Sequence, residues 1–212
     1  SSPFDCYDIG TPGQPWGAAE RRLWLKRQVR QRSYAAEVEE RINALRGAFE
    51  VVTYGELAYE PDHYALHALR SKAWSQERAT ALVTGGVHGY ETSGVMGALQ
   101  FAETVAARFA DRVNLLIAPC VSPWGFERIH RWNADAVDPN RSFQPHSPAQ
   151  EAAALMKFVA GLEGEVLMHI DLHETTDTDE SEFRPALAAR DGEPFTPGSI
   201  PDGFYTVGDS EN

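Results

Sequence analysis

The sequence predicts an α/β protein in which a mixed, mostly parallel sheet is flanked by helices. Short apolar runs at residues 80–84, 113–118 and 165–172 have the length and composition of buried strands. Helical segments separate these runs along the chain. Strands that alternate with helices and are apolar on both faces are typical of a parallel sheet covered on both sides. With 212 residues, 42% of them apolar, the chain is long enough to form such a domain.

Residues 1–47 are expected to be an irregular lead-in followed by a helix that packs on the main domain. Six proline and glycine residues lie within the first 17 positions, which is typical of irregular structure. A single helix is predicted from about residue 18 to residue 46. Apolar residues recur on one face of this helix at helical spacing, at Val38, Ile42 and Leu45.

Residues 48–212 are expected to form the main domain. It begins with two strands, 49–58 and 63–70, which a short hairpin joins at the edge of the sheet. A long helix is predicted at 92–109. The sequence Ser-Pro-Ala-Gln at 147–150 predicts the start of the next helix, with the serine as N-cap and the glutamine completing a capping box.

Composition and charge exclude several function classes. Thirty-one acidic residues against 19 lysines and arginines give a net charge of −12, whereas a nucleic-acid binder needs a basic face. No apolar run approaches the ~20 residues of a membrane span, and no signal-peptide pattern opens the chain. Two cysteines, Cys6 and Cys120, do not make a disulfide framework. We therefore expect a cytoplasmic protein that binds neither nucleic acid nor membrane.

A first group of chemically capable residues lies where the strand 80–84 ends and the next helix begins. His88 and Glu91 are three residues apart, so one turn of chain can point both side chains the same way. Gly85 and Gly86 precede them and allow a tight bend. In open α/β sheets ligands bind at this carboxyl edge. One imidazole and one carboxylate are two of the three protein ligands of a catalytic zinc site.

His173 directly follows the strand 165–172 and is expected at the same edge of the sheet. Alternation along an extended strand places His169, Asp171 and His173 on one face. Together with the first pair, His173 completes a set of two histidines and one glutamate. Such a set holds zinc and leaves a fourth position open for water.

The segment 131–143 has no regular period, so a loop is expected there. It carries Arg131, Asn140 and Arg141, and arginine is suited to bidentate recognition of a carboxylate. An arginine aimed at a polarised carbonyl group can also stabilise an oxyanion. The sequence Asp-Pro-Asn-Arg within the loop is compatible with a plain turn as well. Its occurrence together with the two other groups favours a functional site.

These three groups resemble the zinc carboxypeptidase superfamily, which includes carboxypeptidase A-like enzymes and the succinylglutamate desuccinylase and aspartoacylase branch. The motifs that carry the resemblance are Val-His-Gly-Tyr-Glu at 87–91, Asp-Pro-Asn-Arg-Ser-Phe at 138–143 and Asp-Leu-His-Glu at 171–174. The resemblance covers roughly residues 48–175. It implies a mixed eight-stranded sheet flanked by helices, with residues 48–212 as the catalytic domain.

The resemblance also implies roles for individual residues. One zinc ion would be held by three ligands, His88, Glu91 and His173. Arg131 would polarise the scissile carbonyl, and Asn140 with Arg141 would bind the terminal carboxylate of the substrate. Asp138 would support a zinc-binding histidine, which is also a physically reasonable role for a carboxylate beside a metal ligand.

The expected function is that of a zinc-dependent metallocarboxypeptidase, which hydrolyses a C-terminal peptide bond through a zinc-activated water. One alternative is an N-acyl amino acid deacylase of the desuccinylase and aspartoacylase type. The other is a catalytically inactive zinc-binding or peptide-binding domain. The expected partner is a peptide or an acylated amino acid with a free carboxylate.

This sequence departs from the family pattern at the general base. In the family it is a glutamate on a strand well beyond the third ligand, and only 39 residues follow His173. These residues are predicted to form a polar loop. We therefore expect a C-terminally incomplete fold, with the catalytic glutamate beyond residue 212. The nearer alternatives are Glu174, Glu182 and Glu193, and Tyr205 is the nearest match for a substrate-capping tyrosine.

Overall fold

The computed structural model describes residues 3–4, 6–201 and 203–208, and it divides the chain into two compact units. The larger unit is Arg21–Glu174, and the smaller one combines Ser1–Glu20 with Thr175–Asn212. The larger unit contains every residue predicted to form the metal and substrate site. The outer limits of the two predicted domains, residues 1 and 212, lie outside the described residues.

The larger unit is built on one five-stranded sheet. Its strands are β1 (Phe49–Tyr59), β2 (Asp62–Ser71), β3 (Thr80–Gly85), β4 (Asn114–Ala118) and β5 (Val166–Leu172). The strand order is β1-β2-β4-β3-β5. β2 is antiparallel to both of its neighbours, whereas β3 is parallel to both β4 and β5. Four of the five strands therefore point the same way, and the predicted mixed α/β fold is confirmed.

Helices alternate with several of these strands along the chain. They are α1 (Ala18–Arg27), α2 (Glu40–Ala44), α3 (Thr92–Thr104), α4 (Pro123–Arg128), α5 (Gln150–Ala160) and α6 (Arg184–Asp191). α3 packs against β3 and β5, and α5 packs against β1. Apolar side chains of the sheet and α5 form a buried cluster, which includes Leu82, Leu116 and Leu155. No helix among the described residues is long and apolar enough to cross a bilayer.

The two strands that lead into the predicted metal ligands differ in burial. β3 lies inside the sheet and is buried at all six positions. β5 lies at the edge, and Leu167, Met168 and Ile170 on it are 67%, 49% and 42% exposed. Both strands are short apolar runs, so their sequences do not distinguish an inner strand from an edge strand.

The single helix predicted for residues 18–46 is wrong. α1 ends at Arg27, and a non-helical segment follows it. A π-helical turn at Ala35–Glu39 then leads directly into α2. In that segment the Gln31 and Arg32 amides donate to the Glu127 carbonyl, which takes them out of any local helix. The boundary predicted between residues 47 and 48 falls inside the larger unit.

The predicted capping box is also wrong. α5 begins at Gln150 with Ala149 as N-cap, and no side chain caps it. The Gln150 side chain instead bonds the backbone of Ala58 on β1, accepting from its N–H at 2.9 Å and donating to its carbonyl at 3.1 Å. Tertiary contact with the sheet has taken the place of a local cap.

The residues after His173 were predicted to form a polar loop, and part of that prediction is wrong. In the smaller unit a π-helical turn at Asp179–Phe183 runs into α6. Pro185 is tolerated there because it lies in the first turn, where no intrahelical N–H bond is needed. Ala186 and Ala188 give α6 a buried face.

Candidate metal centre

The first part of the centre is the loop between β3 and α3. Gly86 has φ of 63°, a conformation that side chains disfavour, and it turns the chain as β3 ends. Gly89 packs directly on the backbone of α4, because a Cβ added there would lie 2.0 Å from the Phe126 nitrogen. These two glycines hold His88 and Glu91 in a compact, buried turn at the carboxyl edge of the sheet.

The three predicted metal ligands converge on one point. His88 Nδ1 lies 2.8 Å from Glu91 Oε1, and His173 Nδ1 lies 2.8 Å from Glu91 Oε2. The potential ligand atoms of the three residues all lie within 4.8 Å of one another. The Glu91 carboxylate is therefore the shared element, with one imidazole nitrogen on each oxygen.

The far nitrogen of each imidazole ring is held by a second carboxylate. His88 Nε2 donates to Asp138 Oδ1 at 2.9 Å, and His173 Nε2 donates to Asp171 Oδ2 at 2.6 Å. A carboxylate at the distal nitrogen orients a ligating ring and raises its basicity. Both rings thus turn Nδ1 toward Glu91.

Asp138 also holds Arg131 beside the same carboxylate. Its Oδ2 atom accepts from Arg131 Nε at 3.1 Å, while Arg131 Nη1 donates to the Tyr90 hydroxyl at 3.1 Å. Arg131 Nη1 is 3.9 Å from Glu91 Oε1. The predicted arginine, the buried histidine and the glutamate therefore share one hydrogen-bonded network.

The electrostatics of the network favour charged carboxylates and a protonated histidine. Burial alone raises the pKa of Glu91, but hydrogen bonds from the two histidines outweigh it and lower that pKa. The pKa of Asp138 is lowered in the same way, by His88 and Arg131 against burial. The hydrogen bond to Asp171, and then the one to Glu91, raises the pKa of His173 to about 10. Both carboxylates therefore stay ionised beside the imidazoles.

The donor set fits zinc. Two imidazole nitrogens and one carboxylate are a known ligand set for catalytic zinc sites. Both nitrogens of His88 face carboxylate oxygens, and its Nδ1 shares the Glu91 side with Nδ1 of His173, where a metal ion would be held. The set is open on one side, because 34% of the His173 side chain is exposed while those of His88 and Glu91 are 2% exposed.

Asn140 and Arg141 lie next to this network and bond it through their backbone. They belong to a 3₁₀ turn, Pro139–Arg141, that begins at Asp138, and their backbone N–H groups donate to Asp138. Asn140 is half-buried and Arg141 is exposed. The turn places both residues directly after Asp138 in the chain.

Two of the alternative bases and the candidate capping tyrosine have hydrogen-bond partners outside the three-ligand cluster. Glu174 accepts from the backbone N–H and hydroxyl of Ser93, in the first turn of α3. Glu182 accepts from the Tyr7 hydroxyl, and the Tyr205 hydroxyl bonds Thr175, both within the smaller unit.

Sequence reasoning left Asp171, Thr84 and Tyr90 without roles. The Thr84 hydroxyl donates to Asp171 Oδ1 at 2.7 Å, so β3 holds the aspartate that in turn holds His173. The period of two that aligned Asp171 with His173 was the available signal for this aspartate. Tyr90 gave no comparable signal, because its partner Arg131 is 41 positions away.

Comparison with known proteins places the chain in a family. Residues 77–191 match the Succinylglutamate desuccinylase/Aspartoacylase catalytic domain. None of the curated proteins compared with the chain shows a significant match. The matched range includes every predicted site residue from His88 to His173.

Solved structures support the same fold. A candidate metallopeptidase from Shewanella denitrificans OS217 is 28% identical with a TM-score of 0.53, covering 66% of this chain and 52% of its own. A candidate carboxypeptidase A from the same organism is 19% identical with a TM-score of 0.52, covering 66% and 40%. A metallo-carboxypeptidase from Burkholderia cenocepacia is 18% identical with a TM-score of 0.50, covering 64% and 39%.

The chain spans about half the length of the first of these structures and less of the other two. More than half of the chain matches the family domain, and the sheet and helices agree with carboxypeptidase-like folds. The chain therefore belongs to the succinylglutamate desuccinylase/aspartoacylase family, within the zinc carboxypeptidase superfamily.

Proposed function

We propose that this chain carries the metal centre of a zinc-dependent hydrolase that cleaves an amide bond near a free carboxylate. The observation that carries the proposal is the convergence of His88 Nδ1 and His173 Nδ1 on the two oxygens of Glu91. Each ring is held from behind by an aspartate, as expected of ligands preorganised for a metal ion. Family membership supports hydrolysis as the reaction class.

The residues around the centre have distinct tasks in this proposal. Zinc, when bound, supplies Lewis acidity that polarises a carbonyl group and makes water a better nucleophile. Arg131 is fixed by Asp138 and Tyr90, so its guanidinium is preorganised to donate to an oxygen that gains negative charge. Removing one such donor typically costs ~10²–10³ in rate.

Asn140 and Arg141 are proposed to bind the free carboxylate of the substrate. Arg141 is exposed beside the centre, and a guanidinium can bind a carboxylate through two parallel hydrogen bonds. The backbone N–H of each residue is anchored on Asp138. The carboxylate-binding pair and the metal ligand His88 therefore share one support.

The substrate is proposed to be an N-acyl amino acid. The match to the desuccinylase and aspartoacylase catalytic domain favours deacylation. A peptidase is the second candidate, because the Shewanella denitrificans protein that is 28% identical is described as a metallopeptidase. Both reactions use the same chemistry and differ in whether an acyl group or a peptide leaves the amino acid.

Metal content is the first test. The purified protein should bind about one zinc ion per chain by elemental analysis, and His88→Ala should lose it. The matched control is His63→Ala, because His63 is exposed and bonds only surface glutamates in the described part of the chain. An absence of zinc in the wild-type protein after loading would refute the proposal.

Substrate preference is the second test, on the zinc-loaded full-length protein. We expect hydrolysis of N-succinylglutamate or N-acetylaspartate, and slower or no release of the last residue from N-benzoyl dipeptides. Arg141→Ala should slow the hydrolysis of substrates with a free carboxylate far more than that of their carboxamide analogues. Arg46→Ala, at another exposed arginine, is the control. Equal effects of Arg141→Ala on both substrate types would contradict a carboxylate-binding role, and zinc binding without any hydrolysis would favour the inactive binding domain.

A further inference from the structure

Arg32 reaches the metal-binding loop from the non-helical segment that follows α1. Its Nε donates to the Phe126 carbonyl at 2.6 Å, its Nη1 to the Thr92 hydroxyl at 2.8 Å and its Nη2 to the Gly89 carbonyl at 3.1 Å. Gly89 lies between the two ligands of this loop, and Thr92 directly follows Glu91. Arg32 itself lies outside the residues that match the family domain.

The carbonyl groups of the loop show why this contact matters. Those of residues 85–87 accept from the backbone or side chain of residues 121–122, and those of His88, Tyr90 and Glu91 accept from amides within or just after the loop. Among the described residues, the Gly89 carbonyl accepts its hydrogen bond from Arg32. A buried backbone carbonyl that lacks a hydrogen-bond partner lowers the stability of the turn that carries it.

The guanidinium also spans the closest backbone contact of the loop. Gly89 packs on Gly125 and Phe126 of α4, and Arg32 bonds a carbonyl on each side of this contact. The Arg32 Cζ atom lies 3.7 Å from the centre of the Phe126 ring, so the planar cation is stacked in place. The Thr92 hydroxyl that Arg32 binds donates in turn to the Tyr90 carbonyl.

We propose that Arg32 is a positioning residue of the metal centre, which holds His88 and Glu91 at the spacing that a metal ion requires. This inference rests on the proposed function, since it assumes that the centre binds zinc. Under this proposal, the segment between α1 and α2 contributes to the geometry of the metal centre. The planar guanidinium of Arg32 donates to three acceptors at once. A lysine ammonium on its flexible side chain would not reproduce this arrangement.

The test compares Arg32→Gln with Arg41→Gln. Arg41 is a matched control because, in the part of the chain that the structure describes, it bonds Glu103 with two nitrogens at 2.8 Å and contacts Met96 rather than the loop. Arg32→Gln should weaken zinc binding about 10-fold or more in competition with a chelator, the effect typical of lost outer-shell partners. Arg41→Gln should change it less than about 2-fold, even where it lowers thermal stability equally. The visible spectrum of the cobalt-substituted protein should change only in Arg32→Gln, because it reports ligand geometry.

Two further variants keep the test decisive if Arg32→Gln does not fold. Arg32→Lys retains the charge, and Thr92→Val removes the hydroxyl acceptor while keeping the side-chain shape. Both should weaken zinc binding less than Arg32→Gln but measurably. Wild-type affinity and a wild-type cobalt spectrum in the folded Arg32 and Thr92 variants would overturn this inference and leave the proposed function intact. Failure of the wild-type protein to bind zinc would overturn both.

Discussion

The two sides of the metal centre have similar hydrogen bonds but very different surroundings. On one side His88 follows the inner strand β3, is buried, and is held by Asp138. On the other side His173 follows the edge strand β5, has 34% of its side chain exposed, and is held by Asp171. Both imidazoles meet at Glu91.

The His88 side of the centre is held rigidly, whereas the His173 side is accessible to a substrate. The His88 side is enclosed by α4, the loop that carries Arg131 and the Arg32 segment, so its geometry depends on many tertiary contacts. The His173 side depends on β5 and its pairing with β3, including the Thr84 hydroxyl that supports Asp171. A centre that is preorganised on one side and open on the other can hold a metal ion and admit a substrate.

The largest effect is expected from the residue that both sides share. Glu91→Gln keeps the side-chain shape but removes the charge that both Nδ1 atoms face. Zinc affinity should fall by more than the ~10–100-fold that loss of an outer-shell partner causes. Chelator competition measures this loss. Glu174→Gln is the control, because Glu174 bonds Ser93 instead, and an equal loss in both variants would show that the effect is not specific to the ligand.

A second prediction compares the two strands themselves. Leu82→Ala in β3 opens a cavity in the core and should lower the free energy of unfolding by ~2–5 kcal/mol. Leu167→Ala in β5 should change it by no more than ~0.5 kcal/mol, because Leu167 is 67% exposed. Urea unfolding measures both variants. Similar losses would mean that β5 is covered in solution.

A third prediction compares the two supporting aspartates. Asp138→Asn and Asp171→Asn should each weaken zinc binding by ~10–100-fold. Asp138→Asn should also reduce turnover at saturating zinc, because Asp138 holds Arg131 as well as His88. Titration with zinc and assays at saturating zinc separate the two effects. An unchanged turnover of the zinc-saturated Asp138→Asn protein would argue against the positioning of Arg131 by this aspartate.

The last prediction concerns pH. Because contacts with Asp171 and Glu91 raise the pKa of His173 from 6.5 to about 10 in the folded protein, protonation of His173 stabilises the fold. This contribution is complete below about pH 6.5 and is lost as the pH rises toward 10. The stability difference between the wild-type protein and His173→Gln, measured with a chelator present, should therefore shrink between these pH values. A constant difference would contradict the raised pKa.

Much of the site followed from local sequence. The spacing of His88 and Glu91 after an apolar strand, and the position of His173 after another, were enough to predict that the three side chains meet. This worked because carboxyl ends of parallel strands lie at one edge of a sheet. The alternation along β5 also aligned Asp171 with His173, although its supporting role became evident only from the hydrogen bond.

Other contacts depend on residues that are distant in sequence. Arg32 bonds Gly89 and Phe126 across 57 and 94 positions, and Gln150 bonds Ala58 across 92 positions. In both places the predicted local structure, a continuous helix and a capping box, gave way to a tertiary hydrogen bond. Local sequence patterns do not encode such partners, because these hydrogen bonds form only after the sheet and helices have packed.

The sequence by itself determined the strands, their likeness to a parallel sheet and the identity of the residues at its carboxyl edge, since these depend on the period and composition of short segments. The tertiary structure decided which apolar strand lies inside the sheet, which carboxylate supports which imidazole and how the Arg32 segment reaches the loop. The physical reason is that burial and hydrogen-bond pairing belong to neighbours in space, and the packing of whole elements brings those neighbours together.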